Sequence, residues 1–248
     1  MYASIYSVAQ IRSVKENYQQ NIEKHMEYIR LAAQYGSKII VFPELSLTGY
    51  ERELARGQSF TKDDIRLECI RMASLDHSMV IVAGAPLLLN DDLFIASWIF
   101  TPTMHPQIYI KKYLHPGEEL YFQSSTQYDP SIKLNDEKLS FAICYDIERE
   151  EHVECAKNKK SDFYVASIFY SQNGIQSGLN RLHHIAKENS MNVLMSNYVG
   201  ECWGIEAGGC SSVWSYNGEL IESADSASEC LVIVEKHDEV WGGKIVKY

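Results

Sequence analysis

Residues 37–50 read SKIIVFPELSLTGY, a short apolar run that stops at Pro43 and delivers a carboxylate, Glu44, immediately beyond it. Such a run, bounded by a turn residue, predicts a strand buried on both faces of a sheet. Upstream, Val14, Tyr18, Ile22, Met26, Ile29 and Ala33 recur at three- and four-residue spacing, which predicts an amphipathic helix from about Ser13 to Gly36. Gly36 stands where a helix C-cap belongs. With a first strand over residues 2–8, the chain opens strand, helix, strand.

Farther along, Thr61 is suited to cap a second helix running to about His77, with Asp63 and Asp64 near its positive end. A buried strand over 79–85, a turn at Asn90-Asp91-Asp92, and strands over 94–100 and 107–112 follow. The second half alternates again: strand 138–144, helix 148–159, strand 162–168, helix 178–190 and strand 191–197. Strands near 210–216, 219–223 and 230–235 end the series, the first pair joined at Asn217-Gly218, a strong hairpin signal. Alternating strands and helices followed by hairpins predict an α/β architecture with mixed sheets. No Pro-, Gly- or Ser-rich linker interrupts the chain, so one domain over residues 1–248 is expected.

At 248 residues, 46% hydrophobic and 23% charged, the chain has enough apolar material for one sizeable core. Its net charge of -10 repels nucleic acid and anionic membrane surfaces and leaves a small-molecule substrate as the better fit. The same charge would favour, weakly, amine-bearing substrates such as carbamoylated polyamines. The N-terminus MYASIYSVAQIR lacks the basic start and long apolar core of a secretory signal, and no run of about 18 apolar residues occurs. A cytoplasmic protein is expected. The six cysteines (Cys69, Cys144, Cys155, Cys202, Cys210, Cys230) are scattered and form no C-x-x-C pair, which suggests neither a disulfide framework nor a zinc site.

Three segments deliver a reactive side chain where a buried strand ends: VFPELSLTGY with Glu44, IYIKKYL with Lys111, and SFAICYD with Cys144. Strand ends are where α/β sheets build their sites. A carboxylate, an ammonium and a thiol supply a base, an oxyanion stabiliser and a nucleophile, the parts needed for acyl transfer. Neighbours on a strand point to opposite faces, so Tyr109 and Lys111 share the inward face, and Lys112 is expected to be an ordinary solvated lysine.

These three motifs, in this order and spacing, resemble the nitrilase (carbon-nitrogen hydrolase) superfamily, amidase-like branch, over nearly the whole chain. FPELSLTGY is similar to that family's glutamate motif, Y-x-K-x-x-L at Tyr109–Leu114 to its lysine motif, and ICYD at 143–146 to its cysteine motif. Glu188-Asn189, Asn197 and GGCSSVWSYNGEL at 208–220 resemble structural stretches of the family. The resemblance implies a four-layer αββα sandwich, a homodimer or higher homo-oligomer, and hydrolysis of a small amide or N-carbamoyl compound without metal or organic cofactor. It also implies catalytic roles for Glu44, Lys111 and Cys144, an oxyanion donor in the Tyr145 N–H, and a supporting carboxylate in PGEELYF, Glu118 with Glu119 as the alternative. Tyr50, Tyr145, Ser167, Ile168 and Phe169, just past strands, are candidate pocket walls. The chain departs from the family after the cysteine, where DIEREE stands in place of D-x-x-F-P-E, and at His183-His184, read as helix-surface or interface residues. Nitrile hydrolysis on the same triad and a catalytically idle binding protein stay open as alternatives.

Overall fold

The computed structural model describes residues 3–102 and 104–247. Strand β1 (Ser4–Gln10), helix α1 (Tyr18–Gln34), β2 (Ile39–Val41), α2 (Glu68–His77), β3 (Val80–Leu89), β4 (Asp92–Thr101) and β5 (Met104–Ile110) form the first half. The second half comprises β6 (Ile132–Leu134), β7 (Glu137–Ile143), α3 (Glu150–Asn158), β8 (Phe163–Ser167), α4 (Ile175–Asn189) and β9 (Asn192–Ser196). After them come β10 (Glu201–Cys202), β11 (Ile205–Glu206), β12 (Ser212–Trp214), β13 (Leu220–Ser223), β14 (Cys230–His237) and β15 (Val240–Lys247).

One sheet has the order β15-β14-β1-β2-β3-β4-β5 and the other β13-β12-β9-β8-β7-β6. The centre of each is parallel, β1-β2-β3 and β7-β8-β9, and the flanks are antiparallel. Strand parity sorts the core. Tyr6, Val8, Ile39 and Val41 pack with Phe163 and Val165 of the opposing sheet, while Ala9, Ile40 and Phe42 pack with Ile29, Ala32 and Ile70 of α1 and α2. On the far side of the second sheet, Val153 of α3 and Leu182 and Ile185 of α4 complete the core. The result is the four-layer αββα sandwich. Ser196 Oγ, donating to Ala9 O at 2.5 Å, ties the sheets together at their middle.

Several local expectations shift. Helix α1 starts at Tyr18 because Asn17 caps it, its Oδ1 accepting Gln20 N at 3.0 Å; the stretch from Ser13 is a loop held by Ser13 Oγ donating to Ser46 O. Thr61 does not cap a helix. Its N–H donates to Asp64, which caps a 3₁₀ turn over Ile65–Leu67, and α2 begins only at Glu68. Asn90 and Asp91, with φ of +49° and +67°, form the two-residue hairpin turn between β3 and β4. Strand β15 and the short β6 had no clear sequence signal: Gly242-Gly243 interrupts the alternation of β15, and β6 has three residues. Among the described residues no helix is long and apolar enough to cross a membrane.

Candidate active site

Glu44 lies in the loop that leaves β2 and crosses the top of β3. That crossing depends on Gly84, where a Cβ would lie 2.6 Å from Leu45 N and 3.1 Å from Pro43 O. Leu47 N donates to Gly84 O at 2.9 Å, and Leu45 takes a left-handed φ of +52°. Ser46 Oγ meets buried His25 Nε2 at 2.9 Å, and Tyr198 O–H donates to the Glu44 carbonyl. The carboxylate is thus held by a backbone with little freedom to move.

Lys111 follows β5 and is fully buried, its Nζ donating to Glu44 Oε1 at 2.8 Å and to Glu118 Oε1 at 2.7 Å. Glu118, also fully buried, accepts Tyr50 O–H at 2.5 Å and His115 N–H at 2.7 Å. Glu119 is exposed and accepts Gly117 N–H. Lys112 is not the solvated lysine expected: its Nζ pairs with Asp129 at 2.7 Å, both largely buried.

Asp146 is the knot between the lysine and cysteine segments. Oδ1 accepts Lys112 N at 3.0 Å and Tyr113 N at 2.9 Å; Oδ2 accepts Tyr109 O–H at 2.7 Å and Ile143 N at 2.9 Å. With Tyr109 donating to Asp146, His152 Nε2–H donates to Tyr109 and its Nδ1 accepts Tyr164 O–H, both at 2.7 Å. Burial lowers the pKa of His152 and keeps that ring neutral.

Cys144 directly follows β7 and opens a 3₁₀ turn over Cys144–Glu148, with φ at +44°. A non-glycine residue in this region stores about 1–3 kcal/mol of strain, and here the bend turns the side chain out of the strand. Its thiol donates to Phe169 O at 3.5 Å and borders a cavity of about 680 Å³. Tyr145 follows in the first turn, where backbone N–H groups have no partner within a helix.

Electrostatics set the resting protonation. Burial pushes the Glu44 carboxyl up to about 7, with the Lys111 ammonium opposing it and Glu118 adding to it. Glu44 Oε2 has no hydrogen-bond partner among the described residues, and the nearby Cys144 thiol bears on the carboxyl's titration. Burial and the Glu44 charge hold the thiol well above its ordinary range despite Lys111. Burial alone would lower Lys111, yet Glu44, Cys144 and Glu118 together raise it, so it stays an ammonium. Among the described residues no three His, Cys, Asp or Glu side chains are grouped as a metal site.

Of the candidate walls, Tyr50, Tyr145 and Phe169 line the cavity; Ser167 and Ile168 do not. Ser167 is still in β8, and Ile168 N donates to Ser196 O at 2.8 Å, so the chain leaves the sheet only at Phe169. Asn197 holds the segment that follows, its Oδ1 accepting Tyr170 N at 3.0 Å. His183 and His184 lie on α4, His183 against Gly218 O and His184 exposed beside Glu188. The cavity also takes in Arg52, His115, Glu148, Tyr170 and Trp203, which sequence reading missed. Arg52, His115 and Glu148 stand one or two residues beyond the glutamate, lysine and cysteine motifs, while Tyr170 and Trp203 come from loops with no periodic signal.

A family model described as carbon-nitrogen hydrolase matches residues 6–241. Among solved structures, an alanine-for-cysteine variant of an amidase of the nitrilase superfamily from Nesterenkonia AN1 superposes with a TM-score of 0.86 at 20% identity, covering 95% of this chain and 91% of that one. An alanine-for-cysteine variant of the amidase from Nesterenkonia sp. AN1 in complex with butyramide gives 0.85 at 18%, covering 94% and 90%. Another variant, carrying the acetamide moiety of fluoroacetamide covalently at its active-site cysteine, gives 0.85 at 19%, covering 95% and 91%. At these identities the structural likeness speaks for the sandwich fold, and the family match spans nearly the whole sequence. The chain therefore belongs to the carbon-nitrogen hydrolase family and is a hydrolase of carbon–nitrogen bonds other than peptide bonds.

Proposed function

We propose that the protein hydrolyses a small amide or N-carbamoyl compound through a thioester on Cys144, with Glu44 as base and acid and Lys111 as oxyanion stabiliser. The observation that carries this reading is the buried cluster of Lys111 between Glu44 and Glu118, beside a thiol that borders the cavity. A base with a pKa near 7 suits proton transfer at neutral pH. Because the resting sulfur is a thiol, its proton passes to Glu44 as the sulfur attacks the carbonyl carbon.

The tetrahedral oxyanion is held by the Lys111 ammonium and the Tyr145 N–H, a contribution of about 3–4 kcal/mol per donor. The C–N bond then breaks, and the Glu44 proton goes to the departing ammonia or amine. Glu44 next takes a proton from water, whose oxygen attacks the thioester; the C–S bond breaks, the acid leaves and the proton returns to sulfur. Glu118 keeps Lys111 in place through its bonds to Lys111, Tyr50 and His115. The same reading takes residues 1–248 as one catalytic domain, working in the cytoplasm as a homodimer or higher homo-oligomer.

The test is ammonia release across small amides, ω-amides and N-carbamoyl compounds, with nitriles alongside. Turnover of at least one amide or carbamoyl compound that is lost in Cys144→Ala is expected. No turnover on any of them, or turnover that survives Cys144→Ala, would overturn the reading.

A further inference from the structure

The cavity above Cys144 is bordered by two charged side chains that the chemistry at Cys144 does not use, the carboxylate of Glu148 and the guanidinium of Arg52. Arg52 is only 7% exposed yet borders that cavity. Its Nε donates to Tyr50 Oη at 3.0 Å, and its guanidinium carbon lies 4.0 Å from the Trp203 ring centroid and 5.2 Å from that of Tyr50. Two aromatic faces thus fix the plane of the guanidinium. Among the described residues Arg52 has no carboxylate in an ion pair, and neither Nη has a hydrogen-bond partner.

A guanidinium has five N–H donors and a permanent charge, and burying it is costly unless an acceptor meets it. The carboxylates around it take hydrogen bonds from other groups, although the Arg52 charge is among the causes that lower the pKa of Glu53. Glu51 pairs with Lys15 at 3.0 Å, and Glu53 accepts Trp203 Nε1–H at 2.9 Å and Tyr121 O–H at 3.2 Å. Glu118 takes Lys111 and Tyr50, and Glu148 takes Tyr170 O–H at 2.6 Å. What remains is a guanidinium held by Tyr50 and Trp203 at the border of the reaction cavity, a planar donor group whose shape matches a carboxylate.

We propose that Arg52 reads a carboxylate on the substrate, so that the preferred substrate is a short amide with a carboxylate at its far end; this rests on the amide-hydrolase reading of Cys144. The net acidity of the whole chain argued weakly for amine-bearing substrates. Within the cavity, the Arg52 guanidinium, which has no ion pair among the described residues, reverses that expectation, since the Glu148 carboxylate there already takes Tyr170 O–H and a charge in low dielectric a few ångströms away outweighs screened surface charge.

The test uses binding, which needs no turnover. Calorimetry on the Cys144→Ala protein compares succinamate, neutral butyramide and 4-aminobutyramide. Loss of a charge-assisted pair corresponds to about 10- to 100-fold in affinity, so succinamate is expected to bind tighter than butyramide by that ratio, with the ammonium compound weakest. Arg52→Gln should bring the succinamate-to-butyramide ratio to about one, and Arg52→Lys should restore part of it. Equal affinity for all three probes, tighter binding of the ammonium compound, or a carboxylate preference that survives Arg52→Gln would overturn the proposal. The three-probe comparison needs no change at Arg52, so it stands even if the Gln variant does not fold. A protein that binds succinamate selectively but releases no ammonia would count against the hydrolase reading alone.

Discussion

Replacing Glu118 with glutamine removes one negative charge from the buried cluster while keeping the side chain's shape. Glu44 Oε1 and Glu118 Oε1 both bond Lys111 Nζ, at 2.8 and 2.7 Å, so they lie at most about 5.5 Å apart. At an effective dielectric of about 20, two unit charges at that distance repel by about 3 kcal/mol, or about two pKa units. Glu118 is one of the groups raising Glu44 to about 7. The sign follows: a neighbouring anion makes ionisation of Glu44 harder, so its removal lets the base form at lower pH. The acid limb of kcat/KM, which reports the coupled site in the free enzyme, should move from near 7 to about 5.

The same change lowers the rate. Glutamine has one acceptor oxygen where the carboxylate serves Lys111, Tyr50 and His115, so at least one donor loses its partner. One charge-assisted bond is worth about 1.5–3 kcal/mol, which predicts a kcat about 10- to 100-fold lower. The assay is initial ammonia release between about pH 4 and 9, a range that spans the acid limb expected of both proteins. An acid limb still near 7, together with unchanged kcat, would refute the electrostatic coupling.

Lys111→Met should cost about 100- to 1,000-fold in kcat and about 3–5 kcal/mol of stability, since Glu44 and Glu118 lose the cation they share; a normal melting curve would contradict this. Gly84→Ala should strain the Glu44 loop by about 1–3 kcal/mol, seen as a lower melting temperature and lower kcat, because its new Cβ meets Leu45 N. Asp146→Asn replaces one acceptor oxygen with an NH2 donor that faces two other donors, leaving about 1–3 kcal/mol of unmet hydrogen bonding. Slower alkylation of Cys144 together with a lower melting temperature is expected, and an unchanged alkylation rate would show that Asp146 does not position the thiol.

Much of the architecture was legible because buried parallel strands such as Ile39–Val41 and Phe163–Ser167 are short apolar runs, and α1 carries a clear helical period. Glu44, Lys111 and Cys144 were legible for a related reason: each stands one to three residues past such a strand, at β2, β5 and β7. Helix starts were misjudged where a polar residue later in sequence captured the cap, as Asp64 did from Thr61. Ser167 and Ile168 looked like pocket residues by counting from the strand, but one further ladder bond keeps Ile168 in the sheet. Arg52, Trp203 and the Asp146 knot depend on contacts between distant loops, and no local period or propensity encodes those.

The central claim is that Cys144 carries the acyl group. Incubating the protein with a turned-over amide, quenching in acid and mapping peptides by mass spectrometry reads this directly. The expected result is the acyl mass on the peptide containing Cys144, released by hydroxylamine as a thioester is. Ammonia release accompanied by an acyl mass on Cys69, Cys155, Cys202, Cys210 or Cys230, with Cys144 unmodified, would contradict it.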